Sequence, residues 1–172
     1  PEVVDENTHE VREPLSIIDY ARGSYQAVVL DTGSAFGTWN LEIARNSDEV
    51  LLVTTNELPA LQAAQRSITY LESNGVPSAR IKLVVNRYNR EYGLSREVIE
   101  TALHCEVFHV VPSEYEAIQS ALMEGKPVPP STGFGKAIGQ LGDRIIPRPK
   151  GAEPAKKTSA LSGLLSIFSR AR

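Results

Sequence analysis

Residues 50–85, VLLVTTNELPALQAAQRSITYLESNGVPSARIKLVV, decide the fold. The runs Val50 to Thr54 and Ile81 to Val85 are almost wholly apolar and rich in branched side chains, as strands buried on both faces of a parallel sheet are. Between them Leu58, Leu61, Ala64, Ile68 and Leu71 recur at helical spacing, and Gly75 supplies a C-terminal stop. Two further runs, Ala27 to Leu30 and Val107 to Val111, read as strands of the same kind. Helical segments follow at Ser95 to Leu103, capped by Ser95, and at Glu114 to Glu124 and Gly135 to Ile145. Strands alternating with helices predict an α/β fold with a doubly wound, mostly parallel sheet and right-handed crossovers.

Composition narrows the class. The chain has 172 residues, 41% apolar and 23% charged, which suits one α/β domain with a sizeable core plus a tail. No apolar run approaches the roughly 20 residues that span a bilayer, and no secretory signal opens the chain. The lone Cys105 cannot form an internal disulfide, so a cytoplasmic location is expected. Residues 146–172 carry six Lys and Arg against Glu153, a net +5 within a total of −3, which leaves −8 on the body. An acidic body argues against a specific nucleic-acid surface, because phosphate binding needs clustered basic residues. His9, His104 and His109 have no ligand spacing with one another or with Cys105, so no zinc site is expected.

Asp31-Thr32-Gly33-Ser34, after Val28-Val29-Leu30, contains the DTGS of aspartic proteases. Those enzymes need two carboxylates sharing a proton, and the chain has no second copy and a helix-rich pattern. A carboxylate ending a buried parallel strand instead stands where doubly wound sheets gather ligands, able to hold Mg²⁺ through water. A plain cap and turn at Asp31 remains open on those residues alone.

The succession VVLDTG (28–33), SDEVLLVTTNELPALQAAQRSITYLESNG (47–75), IKLVVNRYNREYGLSREVIETAL (81–103) and EVFHVVPSEYEAIQSALMEGKPV (106–128) resembles the second half of MinD/ParA-type P-loop ATPases. LVVNRYN with LSREVIETAL, and VVPSEYEAIQSALMEGKPV, are most similar to the CpaE/TadZ branch of pilus assembly. The resemblance implies an ATP and Mg²⁺ site. It places Asp31 at the metal, directly or through water, and Thr32 and Gly33 at the start of a switch loop. Asn86 and Arg87 would contact and flank the adenine, with Pro112 and Ser113 closing over it from the other side. Ser113-Glu114 also makes a good helix start without any ligand.

Phosphate transfer in that class needs a glycine-rich Walker A loop of the GKGGxGKT kind, which these residues lack. Gly133-Phe134-Gly135-Lys136 follows the last strand and has no Ser or Thr after its Lys, so it reads as a loop before a helix. The chain is therefore expected to be the C-terminal part of an ATPase. Its phosphate-loop half is expected upstream, so the fold would be incomplete and the chain inactive by itself. The expected parent is a dimerising ATP switch that positions secretion or pilus machinery; the alternatives are a non-hydrolysing localisation scaffold and, remotely, the protease.

Three regions are expected: 1–145 as ATPase-domain part, 146–159 as a basic Pro-rich linker, and 160–172 as a short amphipathic helix. On a helical wheel Leu161, Leu164, Leu165 and Phe168 share a face, with Arg170 opposite. Such a segment would hold the protein peripherally at an anionic membrane face, and a partner-docking or undocked tail is the alternative.

Overall fold

The computed structural model describes residues 7–33 and 36–146, with side chains from residue 15 onward. The elements are α1 (Asn7–Ser24), α2 (Thr38–Asn46), β1 (Val50–Thr54), α3 (Leu58–Ser73), a 3₁₀ turn (Ser78–Arg80), β2 (Ile81–Tyr88), α4 (Arg96–Leu103), β3 (Val107–Pro112), α5 (Tyr115–Met123) and α6 (Gly133–Ile145). The linker residues 147–159 and the segment carrying Leu161, Leu164, Leu165, Phe168 and Arg170 lie outside the described residues.

The three strands form a parallel sheet in the order β1-β2-β3, with Val50 opposite Ile81 and Val85 opposite Val110. Leu83 and Val85 of the central strand are fully buried on one face, where Leu41 and Ala44 of α2, Leu61, Ala64 and Ile68 of α3, and Ile99 and Leu103 of α4 cover them. Burying side chains of this size stabilises by roughly 1.5–3 kcal/mol each. On the other face Val84 and Val111 pack against Ala137, Phe134 and Leu141 of α6. Phe108 and His109 both turn to that face, across a register shift between Leu83 and Val84. His109 is buried and donates from Nε2 to the Ala137 carbonyl at 2.8 Å, which gives it a structural partner. Arg144 lies over the Phe108 ring, 4.0 Å from its centroid.

The helix ends follow their sequence signals. Gly75 adopts φ +86, and Val76 donates its N–H back to Leu71 at 3.0 Å, closing α3. Ser95 accepts from Val98 N–H at the start of α4. Leu58, the first residue of α3 and expected on its apolar face, is instead 61% exposed.

One expected strand does not form. Ala27 to Leu30 carries no ladder, and Val29 is 78% exposed. An apolar run becomes a strand only where a neighbour takes its N–H and C=O groups, and β1 pairs with β2 alone among the described residues. β1 correspondingly departs from burial on both faces: Val53 is 59% exposed. No helix among the described residues is long and apolar enough to cross a membrane.

Candidate functional site

Parallel strands deliver all their C-terminal ends to one edge of a sheet, and ligands of α/β folds collect there. Here that edge carries Thr54-Thr55-Asn56 at and just past the end of β1, Asn86-Arg87-Tyr88 at the end of β2, and Pro112-Ser113-Glu114 at and just past the end of β3.

The end of β2 is irregular. Register shifts between Val85 and Tyr88, and Arg87 takes φ 51, the left-handed region that disfavours a residue with a side chain. Asn86 Oδ1 accepts the Arg87 N–H at 2.9 Å and so supports the bulge locally. That bond also fixes which end of the amide is which, leaving Nδ2 as its donor. Bulges of this kind re-aim side chains beside ligand sites. Asn86 is half-buried and Arg87 exposed. The next loop is tied in across the edge, since Ser113 N–H donates to the Tyr88 carbonyl at 3.1 Å. The structure thus brings Asn86, Arg87, Pro112 and Ser113 to neighbouring strand ends.

Asp31, Thr32 and Gly33 are not tied to that cluster. Asp31 Oδ1 accepts the Gly33 N–H at 3.3 Å, an Asx turn with Gly33 at φ +67. Phe36, just beyond, packs edge-on against Tyr70 with ring centroids 5.0 Å apart. Tyr70 stands in the last turn of α3, toward the edge where the strands begin. Among the described residues no group of three or more His, Cys, Asp and Glu could hold a metal ion, so Asp31 would offer Mg²⁺ one carboxylate.

Glu114 has a role beyond starting a helix. Its carboxylate accepts from Gly133 N–H at 2.9 Å and Phe134 N–H at 2.8 Å, while Thr132 Oγ1 accepts from Gly135 N–H at 2.9 Å. The Thr132 N–H donates to the Pro129 carbonyl at 3.1 Å. All four N–H groups that a helix start leaves unpaired are therefore used within the protein. Gly133-Phe134-Gly135-Lys136 offers no phosphate cradle, and it lies inside α6. An open cleft of about 450 Å³ lies beside this junction, lined by Ser113, Glu114, Tyr115, Glu116, Ala117 and Thr132. It includes Ser113 but not Asn86.

Two polar residues at this edge escape sequence reasoning. Asn56 is 2% exposed and bonded to the loop after β2, and Thr55 Oγ1 is buried without a partner. Both sit just past a strand, where polar residues read as ordinary loop. An orphaned hydroxyl beside a half-buried amide suits a ligand with polar groups such as an adenine nucleotide. The base side of such a ligand fits these residues, whereas a phosphate cradle is not found among the described residues.

Cys105 is half-buried, and desolvation pushes its thiol above the ordinary value, with Glu72 and Glu106 adding to the effect. A thiol held protonated is a poor nucleophile.

No protein-family model matches the chain. It is 26% identical over 113 residues to the septum site-determining protein MinD of Thermotoga maritima, across 63% of this chain and 39% of that protein. A ParA family ATPase from Chlorobium tepidum superimposes with a TM-score of 0.68 at 22% identity, over 82% of this chain and 61% of that one. MinD of Pyrococcus horikoshii, solved with Mg-ADP, gives 0.65 at 20% identity, over 89% and 58%. The chain spans well under half of the length of the T. maritima relative. The solved neighbours establish an α/β fold with a parallel sheet, and the sequence is similar to that of the T. maritima MinD over 113 residues.

Proposed function

We propose that this chain supplies the adenine side and the switch loop of an ATP-dependent positioning switch. One observation carries the reading: the Asn86-Arg87 bulge at the end of the central strand, beside the Pro112-Ser113 loop. Asn86 Nδ2 would donate to the base edge, Arg87 would flank the ring, and Pro112 with Ser113 would bound its other side. Asp31 would meet Mg²⁺ directly or through water, and Thr32 and Gly33 would begin the loop that senses the terminal phosphate. Bound Mg-ATP supplies phosphoryl-transfer chemistry; the described residues bind and orient its base.

The finer assignment is to the CpaE/TadZ branch, acting as a homodimer on pilus or secretion machinery, and it rests on residues 81–103 and 106–128. The segment 160–172 would add a weak membrane contact that dimerisation doubles. Deleting it is expected to abolish co-sedimentation of the whole gene product with anionic liposomes, and undiminished binding would remove the membrane role.

Calorimetric titration of ATP with Mg²⁺ into the whole gene product tests the central reading. Binding in the micromolar to millimolar range typical of nucleotide enzymes is expected, roughly 1 μM to 1 mM. Asn86→Ala should weaken it by about tenfold, the worth of one good hydrogen bond. No binding by the wild type overturns the reading. Binding without turnover by the whole product would select the localisation scaffold over the ATPase, whereas residues 1–172 by themselves should show no turnover.

A further inference from the structure

The loop Asn89–Leu94 follows directly on the Asn86-Arg87 bulge, and a buried side chain just past β1 bonds its backbone. Asn56, 2% exposed at the end of β1, donates from Nδ2 to the carbonyls of Asn89 at 2.8 Å, Tyr92 at 3.3 Å and Leu94 at 3.3 Å. Its Oδ1 accepts the Asn89 N–H at 3.5 Å, and its own carbonyl accepts the Leu94 N–H at 2.9 Å. Asn56, through its side chain and its own carbonyl, therefore satisfies most of the bonded backbone groups of a loop that has no sheet or helix to pair them.

Gly93 is shaped to this clamp. It takes φ +112, and a Cβ there would stand 2.6 Å from both Nδ2 and the carbonyl oxygen of Asn56. Only glycine combines that backbone with so close an approach. The left-handed Arg87, two residues before Asn89, is strained and persists only where its surroundings over-determine it. The Asn56 bonds fix the chain immediately downstream.

We infer that Asn56, matched by Gly93, is a positioning residue that holds the Asn89–Leu94 loop so that Asn86 and Arg87 keep the geometry that meets a purine base. The inference rests on the adenine-site reading and deepens it by naming what sets base selectivity. Asn56→Asp keeps the shape but turns the donor into an acceptor facing three carbonyls.

The test uses the whole gene product, with ATP and ITP (inosine 5′-triphosphate), which replaces the adenine amino group by an oxygen, as probes. In the wild type, ATP should slow amide exchange across Asn89–Leu94. Asn56→Asp and Gly93→Ala should each speed that exchange by about tenfold, lower ATP affinity by about tenfold and bring the ATP-to-ITP preference toward one. Val76→Ala, which removes core packing in the turn after α3, should lower the melting temperature without moving the preference. Wild-type protein that binds neither probe sinks the adenine site and this role together. Wild-type protein that prefers ATP, with the same preference in Asn56→Asp or Gly93→Ala, sinks this role alone. Should neither variant fold, the wild-type exchange decides: protection of Asn89–Leu94 by ATP supports the role, and unprotected residues overturn it.

Discussion

The two sides of the β1-β2-β3 sheet were written in the same apolar, β-branched vocabulary, yet they differ in finish. Around β2 and β3 the loops are bonded across the strand ends, and helices cover both faces. Both end strands keep an outer backbone edge without a ladder among the described residues, but β1 also leaves Val53 exposed, and Ala27 to Leu30 stays unpaired. Sequence pattern alone specifies a willingness to be a strand; whether the strand exists depends on a neighbour. The stability of the molecule should therefore reside in the central strand and its covers, and its stickiness on β1.

Leu83→Ala probes the finished side most severely. Leu83 is fully buried on the central strand, so a loss of about 3–4 kcal/mol in urea unfolding is expected. A loss near 1 kcal/mol would show that the core around β2 collapses freely and that the contrast is overstated.

Glu114→Ala comes next. It leaves the Gly133 and Phe134 N–H groups without their carboxylate and should cost about 1–2 kcal/mol, with faster amide exchange at those two positions. Unchanged exchange there would mean that solvent caps α6 equally well.

The third probe is pH. Its hydrogen bond from Arg96, followed by the Val107 N–H, holds the Glu100 carboxyl below the ordinary value of 4.5. A folded-state value below the unfolded one contributes stability that is present above pH 4.5 and disappears as pH falls through the lowered value. Glu100→Gln should flatten that part of the acid-unfolding curve; a curve identical to wild type would assign acid sensitivity elsewhere. The site is exposed, so the effect is small.

Val53→Lys should change stability least, within about 0.5 kcal/mol, while reducing self-association seen by sedimentation, because a charge on an open edge discourages strand addition. Equal association in both proteins would clear β1 of responsibility.

Much of this architecture was legible in residues 50–112. The crossover unit, the stop at Gly75 and the cap at Ser95 each depend on local chemistry, and each formed as its residues indicate. Asn86, Arg87, Pro112 and Ser113 were named from the family resemblance of residues 81–103 and 106–128, and the fold brings them to neighbouring strand ends. Asn56 was not, since its bonds reach residues 33 to 38 positions away and no local pattern announces them. Ala27 to Leu30 misled for the opposite reason: its composition is local, and its fate is not. α6 begins two residues earlier than its pattern suggests, because a carboxylate 19 residues upstream completes its first turn.

That carboxylate also makes a ring of the polypeptide. From Glu114 through α5 and back to Gly133, the chain is closed by charge-assisted hydrogen bonds, and Thr132 closes a smaller ring onto Pro129. A protease that cut within residues 126–131 would open a covalent loop whose two ends stay joined by the Glu114 bonds and by the packing of α6 on β3. Such a nick would show on a denaturing gel and leave the native particle intact.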